Sequence, residues 1–332
     1  MNALVALLAS RLPIPRIMAT FILRSLNNLY RVIKGRRLWN DQESDAIFSA
    51  IRSTFPTDRK LKSTDTRASF TILFVATSKD FRVLPTAILY AIKSLQNYAI
   101  EKVIVYVPDK EVDVAKELFK KTFNEIKVLT ESESSFFNFM ELSNHFSKIF
   151  PGRGAWCSQQ ILKIIAVTNV ETEFALVVDA DTILINQRPW IDEGGNVLLV
   201  PSLEYHNPYY EVLRKIGLEL RKPLISFVPH HMVYRVSKVR SLLAEFSMDS
   251  VEKIVNRLDF LDASMGPSAF CIDFELYGQS EYLETKSVRR LGRWANLSLS
   301  YKSFKIIMKR KHLVQVLSTL FNSISVHARP NQ

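Results

Sequence analysis

FALVVDADTILIN, residues 174–186, is the stretch on which the reading of the whole chain turns. Phe174 to Val178 form an unbroken apolar run, the pattern of a strand buried on both faces of a parallel sheet. Such a strand has no reason to end on Asp179 and Asp181 unless the carboxylates meet a positive group, because like charges a few ångströms apart repel. With one residue between them on an extended backbone, the two side chains point to the same side. The stretch therefore predicts a hidden strand carrying a paired anionic site at its carboxyl end.

The residues before it supply a sheet to hold that strand. SFTILFVATSKD (69–80) reads as a strand entering a loop at Ser78, Lys79 and Asp80. LPTAILYAIKSLQNY follows at helical spacing, with Pro85 suited to a first helical turn. KVIVYVPDK (102–110) is a second strand, VDVAKELFKKTF (112–123) a second helix and EIKVLTE (125–131) a third strand. After a polar connection over 132–155, AWCSQQILKIIAVTNV (155–170) is a helix leading into the quoted strand, which is thus the fourth. This alternation predicts an α/β fold with an open, mostly parallel, Rossmann-like sheet flanked by helices. Farther on, ISFVPHHMVYRVSKVRSLL reads as a strand passing into a helix, and SAFCIDFELYGQSEYL (268–283) as a helix that Gly278 interrupts. LVQVLSTLFNSISVHARP reads as a helix followed by a short strand bearing His327.

Composition narrows the chemistry. The chain has 332 residues, 47% hydrophobic and 23% charged, enough for a substantial core and not the profile of a disordered protein. Only nine glycines occur, and neither G-x-G-x-x-G nor G-x-x-x-x-G-K-[ST] is among their settings, so phosphate binding would need a metal or basic side chains. Cys157 and Cys271 stand apart, as reduced core cysteines of an intracellular protein do. The net charge of +11 is uneven: residues 1–40 hold seven Lys or Arg, residues 285–332 hold ten, and neither segment contains an acid. Of totals of 44 basic and 33 acidic residues, 27 and 33 remain between those ends, so the middle is mildly acidic. Basic ends suit an anionic membrane surface, whereas the acidic middle disfavours nucleic acid as the main partner. The apolar run before Arg11 is shorter than the roughly 20 residues a span needs, and no positive charge precedes it as in a signal peptide. The expected layout is a basic amphipathic segment (1–40), a lead-in (41–68), a catalytic domain (69–285) and a basic extension closing the site (286–332). The expected location is cytoplasmic, with peripheral contact at the inner face of the membrane.

The set GAWCSQQILKI, VVDADTIL, FVPHHMVY and FELYG, on this α/β pattern, resembles the D-x-D glycosyltransferases of the A-type (GT-A) fold. More narrowly, it is similar to an uncharacterised bacterial glycosyltransferase-like family, over roughly residues 69–285. The resemblance implies a nucleotide-diphosphate sugar as donor, a glycan or lipid-linked acceptor, and a divalent cation, Mn2+ or Mg2+, at the diphosphate. It implies Asp179 beside the ribose or the metal, Asp181 on the metal, and His327 as a third metal ligand. Asp80 and Asp109 would lie at the nucleotide, and Gln160 and Lys163, neighbours on one helix face, would reach the donor. His230 and His231 must face opposite ways, one into the core and the other toward acceptor or metal. An inverting transfer needs a carboxylate base, for which Glu275 is the choice over Asp273, the two pointing apart on a helix. Retaining chemistry would not need that base. Two rival readings are a haloacid dehalogenase-like phosphatase or phosphotransferase with Asp179 as nucleophile, and a non-enzymatic membrane-associated binding protein.

Overall fold

The computed structural model describes residues 68–120, 126–130, 132–134, 139–202, 206–221, 224–265, 270–285 and 294–326. The basic segment 1–40, the lead-in up to residue 67, and His327 lie outside these residues.

The first half follows the expected alternation: β1 (Ser69–Val75), α1 (Leu84–Ser94), β2 (Ala99–Val107), α2 (Val112–Lys120) and β3 (Ile126–Thr130). Pro85 stands in the first turn of α1, where a missing N–H costs nothing. The polar connection expected over 132–155 is instead interrupted by α3 (Phe139–Ile149). Its buried Phe139, Leu142 and Phe146 lie three and four residues apart, giving one apolar stripe among polar neighbours. α4 (Gly154–Thr168) packs against α3 at Gly154, where a side chain would run into the Ser143 carbonyl and the Ser147 hydroxyl. β4 (Phe174–Asp179) follows, buried throughout except at Asp179.

The central sheet has the order β3-β2-β1-β4-β6, with β6 (His231–Arg235) antiparallel at one edge and the other strands parallel. From β1 the chain steps outward through β2 to β3, then returns to lay β4 on the other side of β1. The order reverses there, and open α/β sheets take ligands outside the carboxyl ends of the strands at such a reversal. Val75 pairs with Asp179 at that edge of the sheet.

The quoted stretch is not one strand. β4 ends at Asp179, Ala180 and Asp181 form a turn, and Thr182–Leu184 begin β5 in a second sheet. That sheet has the order β5-β8-β7, from β7 (Trp294–Leu299) and β8 (Phe321–Val326). Buried Ile183 and Leu184, paired with β8 and packed against α1, draw the chain out of the first sheet. The argument that places both aspartates on one extended face therefore fails at the turn.

The remaining helices are α5 (Asn207–Lys215), α6 (Val236–Glu245), α7 (Val251–Arg257), α8 (Glu275–Thr285), α9 (Tyr301–Met308) and α10 (Lys311–Leu320). The helix expected from residue 268 begins only at Glu275, so Asp273 precedes it and the angle drawn between Asp273 and Glu275 does not apply. Gly278 does not interrupt α8. A Cβ there would stand 2.6 Å from the Phe227 Cβ, so the glycine admits a ring against the helix.

On an open helix face, alanine would stabilise relative to glycine by about 1 kcal/mol. At Gly278 the sign reverses: Gly278→Ala is expected to destabilise by about 1–3 kcal/mol through overpacking. Urea unfolding monitored by circular dichroism checks it, as a lowered midpoint at unchanged slope.

Candidate active site at the carboxyl edge of the sheet

The positive group that Asp179 meets is Lys163. Its Nζ stands 2.5 Å from Asp179 Oδ1 and 3.0 Å from Asp273 Oδ2, and 4.9 Å from the centre of the Phe274 ring. Gln160 and Lys163 do share a helix face, but the face is buried against residues 270–274. The Gln160 amide donates to the Phe270 carbonyl at 2.9 Å and its oxygen accepts from the Ile272 N–H at 3.0 Å. The Tyr234 hydroxyl donates to the Asp273 carbonyl at 2.6 Å. A buried, non-helical backbone must find partners for its polar groups; Gln160 and Tyr234 supply them and so hold Asp273 in front of Lys163.

One cation between two carboxylates divides them. Burial alone would raise the Asp179 carboxyl, but Lys163 and the bond from His230 outweigh it and hold the group well below the usual carboxylate range. At Asp273 burial prevails, aided by the charge on Asp179, and its pKa is raised despite Lys163. Burial would discharge Lys163, yet the two carboxylates raise it above its ordinary value, so it stays ionised.

His230 closes the cluster. Its Nδ1 lies 3.1 Å from Asp179 Oδ2, and its carbonyl accepts from the Asp179 N–H at 3.0 Å. Its φ of 65° is left-handed, a conformation uncommon outside glycine although histidine tolerates it better than most. That turn precedes β6, which starts at His231, so the two histidines do not both sit within a strand as the sequence suggests. They do point apart. His231 is fully buried, Arg188 donates to its Nε2 at 2.6 Å, and burial followed by the Arg188 charge pushes its pKa well down. It is therefore neutral, with its proton on Nδ1. The Arg188 guanidinium lies 3.9 Å from the centre of the Trp190 ring. The sequence reading missed this group, although a cation beside an aromatic in Arg188-Pro189-Trp190 was a visible signal.

The other candidates scatter. Asp80 closes the loop after β1, its Oδ2 accepting from the Thr77 N–H at 3.0 Å and the Thr77 hydroxyl at 3.1 Å. Burial raises its pKa, and the charge of Asp181 adds a smaller push in the same direction. Asp181 takes a 3.2 Å bond from the Thr182 hydroxyl, and its carbonyl accepts from the Val326 N–H at 2.9 Å. Asp109 is exposed beyond β2, accepting from the Ser132 hydroxyl at 2.7 Å and N–H at 3.2 Å, bonds that hold its carboxyl low. Glu275 is fully buried: Oε1 accepts from the Ser226 hydroxyl (2.8 Å) and the Phe227 N–H (3.1 Å), and Oε2 from the Gln279 amide (2.8 Å). A carboxylate so placed ties the first turn of α8 to Ser226 and Phe227, where the positive end of the helix dipole also favours it. The structure thus gathers Lys163, Asp179, Asp273 and His230, with Asp80 and Asp181 beside them, and leaves Glu275 and Asp109 apart.

Among the described residues no three His, Cys, Asp or Glu side chains stand together as a metal site. Each Asp179 oxygen already serves Lys163 or His230. The hard oxygen donors that suit Mg2+ or Mn2+ at this edge are Asp181 and Asp80.

A model of a family described as "Family of unknown function (DUF6492)" matches residues 81–215. No curated protein matches the chain by sequence. Solved structures similar to it include glycosyltransferases. Mouse xyloside xylosyltransferase 1 is 10% identical, with a TM-score of 0.40 over 79% of this chain and 98% of that one. The galactosyltransferase LgtC, solved with donor and acceptor sugar analogs, is 13% identical, with a TM-score of 0.35 over 78% and 87%. The mannosyltransferase Ktr4p from S. cerevisiae, solved with GDP, is 10% identical, with a TM-score of 0.44 over 71% and 75%. The likeness is remote, and the open, mostly parallel α/β sheet stands on this chain's own strand order.

Removing the shared cation tests the cluster. Lys163→Met leaves two carboxylates buried together and is expected to cost about 3–5 kcal/mol at neutral pH. The pH dependence should also shift, because the raised Asp273 already contributes stability that grows as pH falls and the variant adds to that sense. In the native protein the depressed Asp179 contributes stability present above the unfolded carboxyl value, near 3.9, and lost as pH falls toward its folded value. In the variant both carboxyls are raised when folded, so stability should increase as pH falls from about 7 to 5. Chemical denaturation across that range reads the slope directly.

Proposed function

We propose that the protein is a metal-dependent glycosyltransferase that takes a nucleotide-diphosphate sugar outside the carboxyl ends of β1 and β4 and passes the sugar to a glycan or lipid-linked acceptor. The observation that carries the reading is the placement of Asp80, Asp179 and Asp181 at the point where the strand order reverses. In sugar transfer the bond from the anomeric carbon to the diphosphate breaks, the leaving oxygen keeping its electron pair. The acceptor oxygen bonds to the anomeric carbon and gives up its proton.

Asp181 and Asp80, with His327 as the resemblance implies, would hold Mn2+ or Mg2+; when bound, the cation supplies positive charge to the departing diphosphate. Asp179 has a different task. Lys163 and His230 keep it ionised and fixed, and a carboxylate offers about four lone-pair sites, of which these partners use two. The remaining sites can accept from a sugar or ribose hydroxyl, in the strong class of bond that a charged acceptor makes. Asp273, behind Lys163, positions that lysine. Glu275 belongs to the core and is not carried into the proposal as a base.

Thermal melting with UDP- and GDP-sugars, with and without Mn2+, tests the reading. A ligand at about 100 times its Kd should raise Tm on the order of 5 °C, only with metal present. Asp181→Ala should lose the shift while keeping its ligand-free Tm within a few degrees. Absence of any metal-dependent shift across the donor panel would overturn the proposal.

A further inference from the structure

The chain beyond Glu284 contains no acid, and α9 and α10 display part of its positive charge in an ordered form. Lys302, Lys305, Ile306 and Lys309 are all exposed, at successive spacings of three, one and three residues, which place them on one face of α9 and its C-cap. Ile306 is 48% exposed in the middle of the three lysines. Buried Phe304 and Ile307 take the opposite face, so the helix is fixed to the body with its cationic side outward. Neighbouring elements add to the charge. Lys311 begins α10, and Arg82 lies 5.9 Å from the centre of the Tyr301 ring, which Lys305 approaches at 5.7 Å.

The helix dipole favours Lys305 and Lys309 at the C-terminal end, but it does not account for the rest of the stripe. Lysines three and four residues apart repel on a helix surface, and Lys302 faces the positive end of the helix dipole in the first turn. An anionic partner would remove both penalties. The exposed isoleucine decides which kind, since hydrocarbon rewards its burial and a phosphodiester backbone does not. No helix among the described residues is long and apolar enough to cross a membrane, so the contact would be peripheral.

We propose that the α9 face bearing Lys302, Lys305, Ile306 and Lys309 docks on an anionic phospholipid surface, with the lysines at the headgroups and Ile306 entering the acyl boundary. This holds independently of the sugar-transfer reading. Full-length protein is sedimented with phosphatidylcholine vesicles and with vesicles in which about a third of the lipid is phosphatidylglycerol. Binding is expected only to the anionic vesicles, and to weaken with salt. The triple variant Lys302→Ser/Lys305→Ser/Lys309→Ser should bind on the order of 100-fold more weakly, near tenfold per lysine at most. Ile306→Ser should weaken binding several-fold with the salt dependence unchanged. All four positions are exposed, so unchanged melting should accompany the loss. Anionic vesicles bound equally by native protein and both variants, no vesicle binding at all, or tighter binding to a duplex oligonucleotide at the same salt would each overturn the proposal.

Discussion

Two carboxylates and one ammonium, shared among a helix, a strand end and the segment before another helix, hold this architecture in place. Lys163 comes from the middle of α4, Asp179 from the tip of β4 and Asp273 from just ahead of α8. Asp273 lies 110 residues from the lysine in sequence, so the bond fixes a long-range contact that apolar packing alone would leave free to slide. Buried ion pairs contribute little net stability, because desolvation consumes most of the Coulomb gain, but breaking one leaves a bare charge in the core. The cluster is therefore better understood as a constraint on geometry than as a source of stability.

That constraint changes what the D-x-D pair can do. The two aspartates have similar surroundings in sequence and opposite fates in structure. Asp179 is compensated by a lysine and a histidine, whereas Asp181, past a turn, stands in the field of Asp80. The turn at Ala180–Asp181 thus separates a compensated, fixed carboxylate from one outside the Lys163 cluster. His230 pays for its place with a left-handed backbone, a strain of about 1–3 kcal/mol of the kind that concentrates at functional sites.

Much of this was legible in the residues. Strands such as Phe174–Val178 and Val103–Val107 advertise themselves as apolar runs, and their alternation with amphipathic helices leaves few topologies other than an open parallel sheet. The adjacent histidines do point apart, although a left-handed turn at His230 and not strand alternation sets them so. What stayed hidden were partners distant in sequence. Gln160 and Lys163 look like a solvated helix face until residues 270–274 are laid against them, and nothing local to Glu275 announces Ser226 and Phe227. The helix read from residue 268 failed for the same reason, since Gln160 and Tyr234 capture the backbone that helical propensity would have wound. β5 was invisible as a separate strand because its apolar residues continue those of β4 without a break, and its pairing partner, β8, lies 136 or more residues farther along the chain.

The second sheet joins the two halves of the functional argument. β8 runs between β5 and β7, and its last described residue, Val326, donates its N–H to the carbonyl of Asp181. α9 and α10 are the connection between β7 and β8, so the cationic helix face is covalently and by hydrogen bonding part of the same small sheet that sets the position of Asp181. A force applied at α9 passes through paired strands, which transmit displacement with little compliance because packed interiors deform poorly. A surface that seats α9 would thereby also orient the sheet edge at Asp181 relative to that surface. Under the proposed sugar transfer, an acceptor carried on a lipid would then approach in a fixed orientation, with less rotational freedom to be lost before reaction.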